Sequence, residues 1–198
     1  MPATTAKRPT RVRATVDKIL SATLQLVAER GAGSLSISEV CRTANIARPT
    51  LYRHFPTLED LTDALFKRLC DDFDAEIRAA VDRDPEPEKR IDVFASYLAK
   101  RLESPGTRMI HVPDADFSKQ LVNKYFENRR AIFEWVLGPL FDLSETLSGK
   151  PIDRRLAADI LVRYYISLQE HNTITPENPR AGLRQLMRAL LHLRPEHS

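Results

Sequence analysis

Hydrophobic residues recur three and four positions apart along most of the chain, the spacing at which side chains share one face of an α-helix. The clearest stripes consist of Val16, Ile19, Leu20, Thr23 and Val27; of Leu61, Leu65, Leu69, Phe73 and Ile77; and of Leu183, Leu186, Met187, Leu190 and Leu191. The strict alternation typical of a strand is nearly absent, and the apolar run 109–112 is too short to found a sheet. The pattern predicts an all-α fold.

Prolines and glycines divide the chain into helix-length segments. The predicted breaks lie at Gly31/Gly33, Pro49/Pro56, Pro85/Pro87, the prolines between 105 and 113, Pro139, Gly149/Pro151 and Pro176/Pro179, which leaves about nine helices. Ser36 with Glu39 three residues later is typical of a capping box, in which side chains satisfy the free N–H groups at a helix start. Thr57 precedes Glu59 and Asp60, acids that favour the first turn of the next helix.

Composition excludes several classes of protein. The 198 residues allow one domain, or one large domain with a small appendage, and 42% of them are hydrophobic, enough for a packed core. A membrane-spanning helix is not expected because no stretch approaches about 18 uncharged apolar residues. The basic start has no apolar segment after it, so we expect no secretory signal, a cytoplasmic protein, and reduced thiols at Cys41 and Cys70.

The net charge of +3 is distributed unevenly. Residues 1–55 hold nine Lys/Arg against three acids, a balance of +6, and the remainder has a balance of −3. A basic N-terminal head on an acidic body suggests that the head meets a polyanion. A solvated basic surface explains the charge alone equally well.

The most informative stretch is residues 36–61, SISEVCRTANIARPTLYRHFPTLEDL. It predicts a short helix over Ile37–Ala44, a tight turn at Asn45, and a second short helix from about Arg48 to Phe55. Asn tolerates the left-handed conformation such a turn requires, and Pro49 fits in the first turn of a helix. Two short helices joined this way are the layout of a helix-turn-helix, whose second helix enters the major groove of DNA.

Helical angles sort the second helix into a buried side and a reading side. With Leu51 facing the core, Phe55 lies nearby, whereas Pro49 and Arg53 point nearly the opposite way. Of the other positions, Thr50 and Tyr52 take the shoulders, and Arg48 and His54 lie nearer the buried edge. Arginine can donate two N–H groups to guanine, and hydroxyls suit phosphate oxygens. Nothing here is typical of a catalytic cluster.

Residues 12 to 70 resemble the TetR family of transcriptional regulators. The residues in register with the family pattern are Val40, Ala44, Ile46, Thr50, Leu51, Tyr52, His54, Phe55, Glu59 and Leu61, and the preceding segment, DKILSATLQLVAERGAGSLSI, is similar to the family's first helix. Four positions depart from the pattern. Asn45 replaces a turn glycine, Ala47 a capping serine, Pro49 a small residue, and Leu58 a lysine that touches phosphate in relatives.

The resemblance implies a homodimer on double-stranded DNA with a near-palindromic operator. The expected DNA-binding residues are Arg11, Arg13, Ser36, Ser38, Arg48, Pro49, Thr50, Tyr52, Arg53 and His54. Three regions are expected: a flexible basic arm over residues 1–11, a helix-turn-helix domain over 12–57, and a domain for effector binding and dimerisation over 58–198. For each DNA-binding residue the alternative is an ordinary exposed polar side chain.

The body is expected to sense a small molecule, because twelve of the fourteen aromatic residues follow residue 56. An aromatic-rich cavity suits an apolar or aromatic effector. The candidate pocket residues are Phe66, Phe73, Phe94, Tyr97, Phe117, Tyr125, Phe126, Phe133, Trp135 and Gln169, with Asn123 and His111 as further polar candidates. An ordinary core explains any single one of them.

The last two helices are the candidate dimer surface. Its expected residues are Tyr164, Leu168, Leu183, Leu186, Met187, Leu190 and Leu191, which in the family pack against the symmetry mate as a four-helix bundle. Packing inside one subunit explains the same stripe.

Taken together, these patterns predict a dimeric, ligand-responsive DNA-binding regulator, most simply a repressor, that is not an enzyme and needs no cofactor. The long helix beginning near Leu58 would link the head to the effector pocket. Alternatives are a helical enzyme or ligand carrier, and a regulator of this fold that activates or acts through a protein partner. A metal site from His111, Asp114 and Asp116, with Glu170 and His171, is a weak further possibility.

Overall fold

The computed structural model describes residues 7–84, 86–103, 115–170 and 178–191. This part of the chain contains no strand, and it forms one short 3-10 helix, Ala32–Ser34, and eight α-helices. They are α1 (Lys7–Arg30), α2 (Ile37–Thr43), α3 (Arg48–His54), α4 (Leu58–Asp82), α5 (Pro87–Glu103), α6 (Ala115–Ser148), α7 (Arg154–Glu170) and α8 (Pro179–Leu190). The predicted all-α class is confirmed, with eight α-helices here instead of about nine.

The difference in number arises at Pro139. The sequence predicted a break there, but α6 continues through it for 34 residues. A proline inside a helix removes one backbone hydrogen bond and costs about 3 kcal/mol. On both sides of it, Val136, Leu137, Leu140 and Phe141 are fully buried, and each such burial stabilises by roughly 1.5–3 kcal/mol. Packing therefore outweighs the break.

The chain forms two compact units that divide inside α4, between Leu69 and Cys70, whereas we expected the boundary at the start of that helix. The first unit contains α1 to α3 and the first half of α4. Its core includes Ile19, Leu51 and Leu61, all fully buried. Thr23 is also buried, and its hydroxyl donates to the carbonyl of Ile19 at 2.8 Å, which satisfies the polar group inside the stripe.

The start of α1 corrects one prediction. The helix begins at Lys7, so residues 7–11 of the expected flexible arm are helical, and residues 1–6 lie outside the described residues. Pro9 does not prevent this, because N–H groups in the first turn of a helix need no helical partner.

The second unit holds most of the chain from Cys70 onward, including α5, α7, α8 and nearly all of α6. Its core is one continuous cluster with Phe73, Phe94, Phe133 and Phe141 among its largest members. In the described residues no helix combines the length and low polarity needed to cross a bilayer. Neither Cys41 nor Cys70 forms a disulfide, and both are buried.

Candidate nucleic-acid interface and effector core

The start of α2 is fixed by the side chains that the sequence singled out. Ser36 is the N-cap, and its Oγ accepts a hydrogen bond from the backbone N–H of Glu39 at 3.3 Å. The carboxylate of Glu39 in turn accepts from the Ser36 hydroxyl at 3.1 Å and from Arg30, at the end of α1, at 2.5 Å. The capping pair therefore also ties α2 to α1. Because the Ser36 hydroxyl already bonds to Glu39, its predicted contact with a DNA phosphate would compete with these capping hydrogen bonds.

The turn between the two short helices has the predicted conformation. Asn45 has a φ of 51°, in the left-handed region. This lets the chain reverse while the N–H of Asn45 donates to the carbonyl of Arg42 at 3.2 Å and that of Ile46 to Cys41 at 3.0 Å. Asparagine adopts this conformation more readily than other non-glycine residues, so it substitutes for glycine here.

α3 is held by its buried side and by the cap of the next helix. Leu51 is fully buried and Phe55 nearly so. Ala47 provides no side-chain cap, and Pro49 lies in the first turn. After α3, Thr57 and Asp60 cap α4 reciprocally, each side chain accepting the other's backbone N–H at 3.0 Å. A seven-residue helix without a side-chain N-cap therefore depends mainly on its buried side chains.

The outer side of α3 presents cationic and hydroxyl groups. Arg48, Pro49, Tyr52 and Arg53 are exposed, whereas Thr50 and His54 are half-buried. Arg53 has no ion-pair partner within the described part of the chain. The helix contains no acidic residue, so its face is suited to an anionic partner.

Arg48 corrects the predicted sorting. It was placed near the buried edge, but it is exposed, and its guanidinium donates a hydrogen bond to the hydroxyl of Ser38 on α2. The first residue of a helix precedes the turn that packs on the core, so a long side chain there can reach sideways. Two predicted DNA contacts from different helices are thereby joined into one polar group.

Of the predicted contacts on α1, Arg13 is exposed. The side chain of Arg11 lies outside the described residues.

In the second unit, three helices bring predicted pocket residues together, and a fourth adds a tyrosine that the sequence analysis did not assign to the pocket. One aromatic cluster contains Phe73 of α4, Phe94 and Tyr97 of α5, and Phe133 of α6. Tyr165 of α7 also belongs to it. The ring centroids of Phe94 and Phe133 are 4.7 Å apart, those of Phe73 and Tyr97 5.2 Å, and those of Phe133 and Tyr165 6.2 Å. We call these five residues the aromatic cluster.

Other predicted pocket residues lie elsewhere. Trp135 is 37% exposed, with the guanidinium of Arg78 4.1 Å from its ring centroid, and it does not belong to the aromatic cluster. Phe66 is buried in the first unit. Tyr125, Phe126 and Gln169 are half-buried and Asn123 is exposed. The side chains of Phe117 and His111 lie outside the described residues.

Sequence reasoning missed Arg129, which lies against the aromatic cluster. Its guanidinium carbon is 3.5 Å from the ring centroid of Phe73, and its Nη1 is buried without a hydrogen-bond partner among the described residues. Burial lowers the pKa of Arg129 from its ordinary value. The available signal was its position four residues before Phe133 and three after Phe126, where a cation interrupts an apolar helical face.

The two tyrosines of the cluster have different surroundings. The Tyr97 hydroxyl donates to Glu76 at 3.0 Å and lies 3.3 Å from the carbonyl oxygen of Phe73, and burial raises its pKa. Burial also raises the pKa of Tyr165 to about 12, against the opposing effect of Arg129. Both hydroxyls are therefore neutral donors at physiological pH.

The predicted dimer surface divides into buried and half-buried positions. Leu168, Leu183, Met187 and Leu191 are buried in the core of the single subunit, as in the alternative that the sequence left open. Their rows on α7 and α8 face inward because these helices pack on each other and on α5. Tyr164, Leu186 and Leu190 are half-buried, and these three stay candidates for contact with a second subunit.

No group of residues suited to a metal ion occurs among the described residues. His111, Asp114 and His171 of the weak candidate lie outside them, as do the side chains of Asp116 and Glu170.

Known proteins share the helix-turn-helix segment and the all-α fold of this chain. Residues 19–65 match the family model of bacterial regulatory proteins, tetR family. A TetR-family transcriptional regulator from Streptomyces coelicolor is similar with a TM-score of 0.70 and 19% identity, over 92% of this chain and 95% of that chain. The fatty acid degradation regulator FadR from Bacillus halodurans gives 0.67 and 17%, over 89% and 94%. FadR from Bacillus subtilis, in complex with stearoyl-CoA, gives 0.60 and 17%, over 88% and 97%. At such identities the likeness shows a shared fold.

Proposed function

The chain has the fold of the tetR-family transcriptional regulators and carries their N-terminal region in residues 19–65, and we propose that it is a dimeric repressor that binds a near-palindromic operator through α3. The observation that carries this proposal is the two-sided character of α3. Leu51 and Phe55 fix its inner side, and Arg48, Tyr52 and Arg53 are exposed on the other.

The exposed groups fit distinct parts of DNA. Arg53 points away from Leu51 and is free to donate two N–H groups to guanine in the major groove, the commonest specific contact. The hydroxyls of Tyr52 and Ser38 suit phosphate oxygens, which position the protein without reading sequence. Arg48 donates a hydrogen bond to Ser38, and its guanidinium suits either a phosphate or a base edge. The +6 balance of residues 1–55 supplies the general attraction to the backbone.

A dimer follows from the size of the reading surface. One seven-residue helix contacts only a few base pairs, whereas two related by two-fold symmetry read half-sites about 34 Å apart. Leu186 and Leu190 on α8 and Tyr164 on α7 are apolar surfaces left half-buried in the subunit. They support an interface built from these helices, in the self-complementary manner of two-fold dimers.

The effector is proposed to bind in the second unit, at the aromatic cluster. Support comes from its four-helix construction and from a structural relative that binds a small molecule, since FadR from Bacillus subtilis was crystallised with stearoyl-CoA. Effector binding lowers the affinity of the dimer for DNA if the effector binds more tightly to the subunit arrangement in which the spacing of the two α3 helices does not match the operator half-sites.

A helical enzyme is not favoured, because regulators of this family are DNA-binding proteins and not enzymes. Transcription in vitro from a promoter that carries the operator distinguishes activation from repression.

Selection from random duplexes with the purified protein should enrich an inverted repeat. Enrichment of no sequence would remove the DNA-reading role, and enrichment of a single half-site would remove the dimer.

A further inference from the structure

Arg129 is a charged group to which the described residues give no hydrogen-bond partner. It lies on α6 with its guanidinium over the ring of Phe73 on α4, and its Nη1 is shielded from solvent without a hydrogen bond among the described residues. A neighbouring residue shows the contrast. Arg130 bonds to both Glu127 and Glu134. The two acids nearest in sequence, Glu127 and Glu134, therefore pair with Arg130 and not with Arg129.

Among the described residues, the acids in this part of the unit do not form an ion pair with Arg129. Glu76 accepts from Tyr97 at 3.0 Å and from Arg101 at 3.4 Å. Asp74 acts on Arg129 electrostatically but forms no ion pair with it, and burial raises the pKa of this carboxyl despite Arg129 and Arg78. An incompletely paired buried cation is costly. Stacking of the guanidinium on the ring of Phe73 offsets part of that cost.

A second unused donor lies close by. The hydroxyl of Tyr165 forms no hydrogen bond with the described residues, and the charge of Arg129 acts on its pKa. This hydroxyl stays protonated, so it can donate a hydrogen bond to an acceptor on a bound molecule. Two donors, the guanidinium over Phe73 and the hydroxyl of Tyr165, therefore lie at the aromatic cluster without a hydrogen-bond acceptor among the described residues.

We propose that Arg129, assisted by the Tyr165 hydroxyl, binds the anionic group of the effector, a carboxylate by preference, while the effector's apolar or aromatic part packs on the aromatic cluster. A planar guanidinium matches a carboxylate with two parallel N–H···O bonds. This inference rests on the proposed sensing role and narrows the effector from an apolar molecule to an amphipathic acid.

The test uses two fluorescent probes that differ in one charged group, 8-anilinonaphthalene-1-sulfonate and its neutral analogue N-phenyl-1-naphthylamine. Titrated into the full-length protein, the sulfonate should bind at least about tenfold more tightly than the neutral probe, the usual value of a charged hydrogen bond. Decanoate should displace it, and decan-1-ol should do so far less well.

Variants identify the residue responsible. Arg129→Met should abolish the preference for the sulfonate and change binding of the neutral probe less than about twofold. Arg129→Lys should restore part of the preference, and Tyr165→Phe should reduce it without removing it. Arg155→Met is the control for surface charge, because Arg155 is 71% exposed, and it should leave both probes unchanged. Circular dichroism checks folding, and Tyr165→Phe still tests the site if Arg129→Met does not fold.

Equal binding of the two probes to the wild type, no binding of the sulfonate, or a preference unchanged in Arg129→Met and Tyr165→Phe would overturn the proposal and assign Arg129 a packing role only. Operator binding by the wild type is measured in parallel. If the wild type does not bind an operator but still prefers the sulfonate, the proposed regulatory function is contradicted and the proposed anion site is supported. If operator binding succeeds without a charge preference, only the anion site falls.

Discussion

The guanidinium of Arg48, at the start of α3, donates a hydrogen bond to the hydroxyl of Ser38 on α2. Both side chains are exposed, so this bond contributes little to folding stability. It joins two groups from different helices at the surface proposed to meet DNA, and it gives Arg48 a defined direction before binding.

Arg48→Ala should weaken operator binding by about 1.5–3 kcal/mol, the range for hydrogen bonds to charged groups. Ser38→Ala should weaken it less, and the double variant should fall short of the sum by about 0.5 kcal/mol or more, because the two residues act together. Fluorescence anisotropy with labelled operator measures all four affinities. Strict additivity would mean that the bond plays no part in binding.

Arg53 and Tyr52 should affect DNA binding in different ways. Arg53→Ala should reduce discrimination between operator and random duplex by about 1–3 kcal/mol, because it removes a base contact. Tyr52→Phe should weaken both duplexes to a similar extent, since a phosphate contact carries no sequence information. Competition titrations with the two duplexes separate the effects. Intact specificity in Arg53→Ala would show that another residue reads the bases.

The turn at Asn45 provides a stability test. Asn45→Ala should cost about 1–2 kcal/mol because alanine is strained in the left-handed region, where Asn45 lies with a φ of 51°. Asn45→Gly is the matched variant and should be neutral or slightly stabilising. Urea unfolding followed by circular dichroism measures both. A loss in Asn45→Gly as large as in Asn45→Ala would show that the Asn side chain, and not its backbone, is what the turn requires.

The sequence was most informative where a local rule fixes the backbone. Ser36, Asn45 and Pro49 each have a conformational role that depends on close neighbours, so both short helices were placed to within one residue. At Pro139 the predicted helix break was wrong, because long-range packing of α6 outweighs the local effect of the proline. Arg129 was missed since whether a charge is paired depends on α4, α5 and α7, which periodicity does not bring together.

Gly182 of α8 faces the Tyr164 hydroxyl of α7 closely. A Cβ on Gly182 would lie 2.9 Å from that oxygen, which is the movable end of a half-buried side chain. Displacing it should cancel much of the stability that alanine gains over glycine in a helix, so Gly182→Ala should be close to neutral. Tyr164→Phe removes the oxygen. The double variant should then equal or exceed the wild type, because alanine favours a helix over glycine by about 1 kcal/mol. Thermal unfolding measures the series, and a double variant no better than Gly182→Ala would show that the contact with this oxygen does not offset that gain.

Leu190 tests the proposed dimer surface. It is half-buried on α8, and Leu190→Glu should convert dimer to monomer, because a charge at an apolar interface is left unpaired. The matched control is Leu147→Glu on α6, where the side chain is already 71% exposed and the oligomeric state should not change. Size-exclusion chromatography with light scattering measures both. A dimer that persists in a folded Leu190→Glu variant would place the interface elsewhere.

The central claim is that the basic head binds DNA through α3, and the dependence of operator affinity on salt tests it most directly. The account predicts that log affinity falls linearly with log salt concentration, with a slope of about −4 or steeper for a dimer that neutralises several phosphates, and that an inverted-repeat operator is preferred over random duplex at every salt concentration. A flat dependence together with equal binding of both duplexes would contradict it.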